Sequence, residues 1–128
     1  MLSARFVITC IIIDDDLNTT KVFADLLELI GLEVLAIGHD GNDAISLYMK
    51  HRPEIVFTDI MMPNRDGFYG IKKIKEFDPT AKIVAITADV SPETELKLQE
   101  LNITAIICKP FDKREIKQVL MEKYRINT

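Results

Sequence analysis

The chain has 128 residues, 48% of them hydrophobic and 28% charged, with five Gly and five Pro. That is the composition of one folded domain with a radius of gyration of about 14 Å, and it excludes disordered, collagenous and low-complexity classes. Sixteen Lys and Arg against twenty Asp and Glu give a net charge of −4, so no basic field exists to hold nucleic acid or an anionic membrane. Two cysteines, Cys10 and Cys108, are too few for a disulfide scaffold and read as small apolar core residues in a reducing, cytoplasmic setting.

Arg5 ahead of the apolar run Phe6 to Ile13 has the outline of a short secretory leader. Three aspartates follow that run directly, with no small-residue cleavage site, so it reads as a buried strand. Further strands are expected over Glu33 to Ile37, Ile55 to Thr58, Lys82 to Thr87 and Thr104 to Cys108. Four of the five are almost continuously apolar, as strands covered on both faces should be. Helical periods separate them. Asn18 to Ile30 places Val22, Phe23, Leu26, Leu27, Leu29 and Ile30 on one side, and Gly31 stops it where a left-handed residue belongs. Asn42 to Lys50 buries Ala44, Ile45, Leu47 and Tyr48, and a third helix runs from Gly67 to Phe77. Ser91 and Pro92 cap a fourth, which ends at Asn102, and Asp112 with Glu115 forms a capping box for the last. Five strands alternating with five helices predict an α/β parallel sheet in a single domain spanning residues 1–128, ordered over about 5–125.

In such a sheet every strand ends on the same edge, where open α/β folds place their ligands. The first strand delivers Asp14, Asp15 and Asp16 there, the third Thr58 and Asp59, the fourth Thr87, and the fifth Lys109 followed by Pro110. Each alone has a plainer reading. An acidic run favours a helix N-terminus, Asp59 precedes the turn formers Met62-Pro63-Asn64-Arg65-Asp66-Gly67, a strand-end Thr can satisfy backbone, and a lysine usually reaches water. Together they imply a cation, because carboxylates clustered on one rim repel unless neutralised. Hard oxygen ligands select Mg²⁺ or Mn²⁺, and Mg²⁺ also takes phosphate oxygens. A carboxylate nucleophile with a lysine and a hydroxyl nearby suits phosphoryl transfer.

These segments resemble the receiver domain of two-component response regulators over essentially the whole chain. Ile11-Ile12-Ile13-Asp14-Asp15-Asp16 resembles the acidic end of the family's first strand. Phe57 through Gly67 resembles its phosphoacceptor loop, and Ala85-Ile86-Thr87-Ala88 and Cys108-Lys109-Pro110-Phe111 resemble its hydroxyl and lysine motifs. Asp59 stands 44 residues after Asp15, 28 before Thr87 and 50 before Lys109, spacings that fit the family jointly. The resemblance implies a flavodoxin-like (βα)5 doubly wound sheet of strand order 2-1-3-4-5, in which Cys10 and Cys108 are too far apart to pair. It implies Asp59 as phosphoacceptor, with Thr87 and Lys109 completing the catalytic set. Asp14, Asp15, Asp59 and the Met61 main-chain carbonyl then hold the metal, and Asp16 caps the first helix.

The phosphoryl donor implied is a sensor histidine kinase or phosphotransfer protein, specified by the first helix near Asn18, Thr19 and Val22 and by the loop after the fifth strand. The output is a protein target on the face from the fourth to the fifth helix, with the chain a monomer or weak homodimer. Because the sequence stops just after the fifth helix, output through protein binding is expected. Two functions of other classes stand beside this one: a constitutive interaction module, and a Mg²⁺-dependent phosphohydrolase. The latter lacks a second carboxylate two residues beyond Asp59, where Met61 stands. Two departures from the pattern carry expectations. Ile106 replaces the aromatic that many receivers carry three residues before the lysine, which predicts a smaller switching movement. Met61 cannot orient water as an amide or carboxylate would, which predicts a slowly lost phosphoryl group. His39 and His51 receive no functional role.

Overall fold

The computed structural model describes residues 7–61, 66–89 and 91–128. The strands are β1 (Thr9–Ile13), β2 (Glu33–Gly38), β3 (Ile55–Asp59), β4 (Ile83–Thr87) and β5 (Ile106–Cys108). They alternate with helices α1 (Leu17–Leu29), α2 (Gly41–His51), α3 (Gly67–Phe77), α4 (Pro92–Glu100) and α5 (Lys113–Tyr124). All pairings are parallel and the strand order is β2-β1-β3-β4-β5, as expected. Chain direction across the sheet reverses at β1, so the crevice that open α/β sheets use for ligands lies outside the ends of β1 and β3.

Period-two alternation splits the core into two layers. Cys10, Ile12, Phe57, Val84, Ile86 and Ile107 face α1 and α5, where Phe23, Leu27, Ile116 and Leu120 cover them. Ile11, Ile13, Val56, Ile83 and Ala85 face the other way, under Ala44, Tyr48, Ile71, Ile74 and Leu98. β3 and β4 are buried at every position, whereas β2, at the sheet edge, is buried only at Gly38. The Phe23 ring meets Phe57 edge-on at 5.2 Å and Phe111 at 4.6 Å, which ties α1 to the segment that follows β5. Cys10 and Cys108 are free, with β3 and β4 between their strands. Burial, with Glu28 and Glu33 nearby, pushes the Cys10 thiol up to about 12, so it behaves as an apolar side chain.

Several boundaries and faces differ from the sequence reading. β1 begins at Thr9 and β5 at Ile106, later than the apolar runs suggest, because hydrophobicity extends past the ladder; Phe6 lies outside the described residues. α1 buries Thr20, Phe23 and Leu27, whereas Val22 and Leu29 are 60% and 72% exposed. At 100° per residue, positions 20, 23, 27 and 30 share one stripe, and positions 22 and 29, seven apart, share another that faces water. In α2, Ala44 and Tyr48 are buried, but Ile45 and Leu47 only partly so. The helix stops fall where expected: Gly31 has φ +102° and Asn102 φ +60°. No helix among the described residues is long and apolar enough to cross a membrane.

Gly67 opens α3 directly against the end of β3. Its N–H donates to the Ile60 carbonyl at 3.1 Å, and a Cβ there would fall on the Asp59 carbonyl and within 2.6 Å of Ile60 Cα. Backbone cannot yield as a flexible side chain can. Gly67→Ala is therefore expected to lower the unfolding free energy by about 2 kcal/mol and to weaken divalent-ion binding by displacing Asp59. Urea denaturation with and without Mg²⁺ checks both, and an unperturbed midpoint would refute the close approach.

Candidate phosphoacceptor and metal site

Parallel register pairs Ile13 of β1 with Thr58 of β3, so Asp14 and Asp59, the next residue in each strand's path, reach the sheet edge side by side. Both are buried, at 4% and 6% exposure, while Asp15 faces solvent. Oxygen atoms of all three carboxylates lie within 4.8 Å of one another. Lys109 arrives from the far side of β4. Its N–H donates to the Thr87 carbonyl at 2.9 Å, which fixes its backbone at the sheet edge. From there its Nζ donates to Asp14 Oδ2 and to Asp59 Oδ2, each at 3.1 Å. The Lys109–Pro110 peptide bond is cis.

Burial raises the Asp59 carboxyl above its ordinary value, and the Asp14 charge adds to the rise; the hydrogen bond and charge of Lys109 oppose both without cancelling them. For Lys109, burial disfavours the ammonium, but the hydrogen bonds and charges of Asp59 and Asp14 outweigh it and lift its affinity for the proton. Among the described residues, one ammonium, Lys109, faces three clustered carboxylates, an excess of acidic over basic groups on this rim. An all-oxygen donor set carrying that excess fits a divalent cation such as Mg²⁺, which keeps several waters and shares phosphate oxygens.

The acidic run divides into three tasks. Asp14 Oδ1 accepts the Asp16 N–H at 2.9 Å, which closes the turn, and Asp15 is left open to solvent. Asp16 caps α1, accepting from Asn18 N at 3.0 Å and Thr19 N at 3.2 Å, and these bonds hold its carboxyl below the usual range. Met61 N–H donates to Asp59 Oδ1 at 3.2 Å, placing the Met61 main chain against the site while its side chain is exposed. Thr87 ends β4, 1% exposed; its hydroxyl accepts the Asp89 N–H at 2.9 Å and points back to the Asp89 carbonyl at 3.3 Å. The turn formers Met62 to Arg65 lie outside the described residues. Sequence reasoning gave His39 no part, yet its Nδ1 lies 3.0 Å from the Asp14 carbonyl oxygen, bracing the loop that carries the acids. A histidine at the end of the second strand, beside the first in this topology, is the signal that could have found it.

A family model described as "Response regulator receiver domain" matches residues 10–121. The chain belongs to that family. The receiver domain is 33% identical over 108 residues to the chemotaxis protein CheY of Treponema pallidum, covering 83% of this chain and 75% of that one. To the CheY of Bacillus subtilis it is 32% identical, over 79% and 84%. It spans only about half, 51%, of a probable C4-dicarboxylate response regulator of Priestia megaterium that it matches at 30% identity. Among solved structures, the Borrelia burgdorferi complex of CheX, CheY, BeF₃ and Mg²⁺ contains a chain that superposes with a TM-score of 0.83 at 28% identity, covering 88% of this chain and 86% of that one. Family, fold and carboxylate geometry converge: this is a phosphoacceptor receiver domain whose Asp14, Asp15 and Asp59 are positioned for a divalent metal.

Proposed function

We propose that Asp59 is the phosphoacceptor and that one receiver domain, fed by a histidine kinase or phosphotransfer protein, accounts for this chain. What carries the assignment is the shared ammonium: Lys109 spans Asp14 and Asp59 at equal distance, so it sits where charge develops during transfer onto Asp59. An Asp59 carboxylate oxygen attacks phosphorus in line, an O–P bond forms as the P–N bond to the donor imidazole breaks, and the imidazole leaves with the bonding pair. Lys109 neutralises the equatorial oxygens, and the Thr87 hydroxyl turns from Asp89 to donate to one of them. Asp14, Asp15, Asp59 and the Met61 main-chain carbonyl would hold Mg²⁺, which would supply further positive charge beside Asp59. The chain's chemistry is confined to its own carboxylate.

Docking of the donor is assigned to the open groove of about 420 Å³ lined by Asn18, Thr19, Val22, Lys109, Pro110 and Phe111, which reaches the site at Lys109. The exposed Val22 of α1 supplies an apolar contact there. CheY of the Borrelia complex assembles with CheX; for this chain the output is assigned to the surface from α4 to α5, the face adjoining Thr87. Intact mass after incubation with acetyl phosphate and Mg²⁺ tests the proposal. One adduct of about 80 Da that disappears when Mg²⁺ is chelated is expected. A folded protein with no adduct would favour a constitutive interaction module instead.

A further inference from the structure

The Thr87 hydroxyl is committed to Asp89 at both ends, and Asp89 is committed to α4. Its Oδ1 accepts the Ser91 N–H at 2.9 Å and its Oδ2 accepts the Thr94 hydroxyl at 2.6 Å. Ser91 in turn caps the helix, its Oγ accepting the Thr94 N–H at 3.3 Å. Thr94 is 6% exposed in the first turn of α4, so its hydroxyl has little water to fall back on. These bonds also keep the Asp89 carboxyl below its ordinary value, hence ionised.

We infer that Asp89 and Thr94 form a latch that holds the Thr87 hydroxyl away from the acceptor, with Asp89 the positioning residue. The inference deepens the reading of Asp59 as acceptor and rests on it. A hydroxyl has one proton: to donate to a phosphoryl oxygen, Thr87 must give up the Asp89 carbonyl and withdraw its oxygen from the Asp89 N–H. Asp89 cannot follow freely, because its carboxylate is fastened at two points to the start of α4. Either the Asp89–Thr94 bond opens or the first turn of α4 moves with the loop. A half-open pocket of about 200 Å³ adjoins these groups, lined by Thr87, Asp89, Thr94, Glu95, Leu98 and Ile106 among others, so the latch does not sit in a fully packed interior. The latch therefore sets how far the resting state is favoured, and the helix end it restrains is what a phosphoryl group releases.

Thr94→Val keeps the volume and removes the hydroxyl, Thr94→Ser restores it, and Asp89→Ala removes the other partner. Beryllium fluoride with Mg²⁺ serves as the phosphoryl probe, followed by amide NMR of α4 in the full chain, with thermal unfolding confirming that each variant is folded. Thr94→Val is expected to bind the probe about tenfold more tightly, the scale of one hydrogen bond to a charged acceptor. Thr94→Ser should return toward the parent, and the double variant with Asp89→Ala should show no further gain. Equal affinity in parent and Thr94→Val, weaker affinity in Thr94→Val, or additive single-variant effects would overturn the latch while leaving the acceptor reading intact. No probe response in the unaltered chain would overturn both.

Discussion

Asp59→Asn is expected to take up no phosphoryl group from acetyl phosphate and, in metal-free buffer at neutral pH, to be more stable than the parent. The first effect follows from the role proposed for Asp59: an amide oxygen cannot form an acyl phosphate, and neighbouring Asp14 has its Oδ1 on the Asp16 N–H and its Oδ2 on Lys109. The second follows from burial. The folded-state affinity of Asp59 for its proton is raised, chiefly by desolvation and then by Asp14. Its folded pKa thus exceeds its unfolded one, so stability is greatest below the unfolded value and falls as pH rises through the folded value. Asn avoids that loss while keeping the shape of the side chain, and Lys109 retains Asp14. A gain of about 1 kcal/mol is expected, on the scale of relieving an under-compensated buried group, seen as a midpoint about 3–6 °C higher. The gain should vanish as pH falls toward 4, and saturating Mg²⁺ should stabilise the parent more than the variant. An adduct on Asp59→Asn, or equal stability at every pH, would show that the acceptor or the charge balance has been misplaced.

The five strands, their parallel direction and the convergence of acids and lysine on one edge were legible because each rests on local pattern: apolar runs of strand length, helical periods between them, and polar residues at the strand ends; the strand order was legible only through the family resemblance. The caps were legible for the same reason, since Asp16, Ser91 and Asp112 each accept from an N–H two or three residues on. What local pattern hid depends on distant partners. Val22 and Leu29 are as hydrophobic as Leu27, and only the position of the sheet decides which stripe of α1 is covered. His39 braces Asp14 across 25 residues of sequence. The Thr94 hydroxyl reads as an ordinary first-turn residue until Asp89 is seen beside it. In the sequence Thr87 fits both a strand-end hydroxyl satisfying backbone and a phosphoryl ligand; the structure shows it in the first role, and the proposed transfer requires it to leave that role for the second.

Lys109→Ala should separate two roles that the shared ammonium combines, moving transfer and metal affinity in opposite directions. In the parent, Nζ occupies the space between Asp14 and Asp59 and neutralises part of the charge a divalent ion would meet. Its removal leaves three clustered carboxylates with a full negative field, so Mg²⁺ affinity is expected to rise, by about tenfold for one unit charge at this range in a half-screened site. Transfer from acetyl phosphate should nevertheless slow by about 100-fold or more, because the one fixed cation that the proposed mechanism places at the equatorial oxygens is lost. Without metal the variant should be less stable than the parent, since two buried carboxylates lose their common partner, and Mg²⁺ should recover most of the difference. Lys109→Arg is not a neutral control: a planar fork cannot place one point charge between two oxygens as an ammonium does. Metal titration and single-turnover phosphorylation on the same preparation decide the matter. Parallel losses in both would mean that Lys109 holds the site together and does not compete within it, whereas tighter metal with slower transfer is the signature of a cation shared between the resting carboxylates and the incoming phosphoryl group.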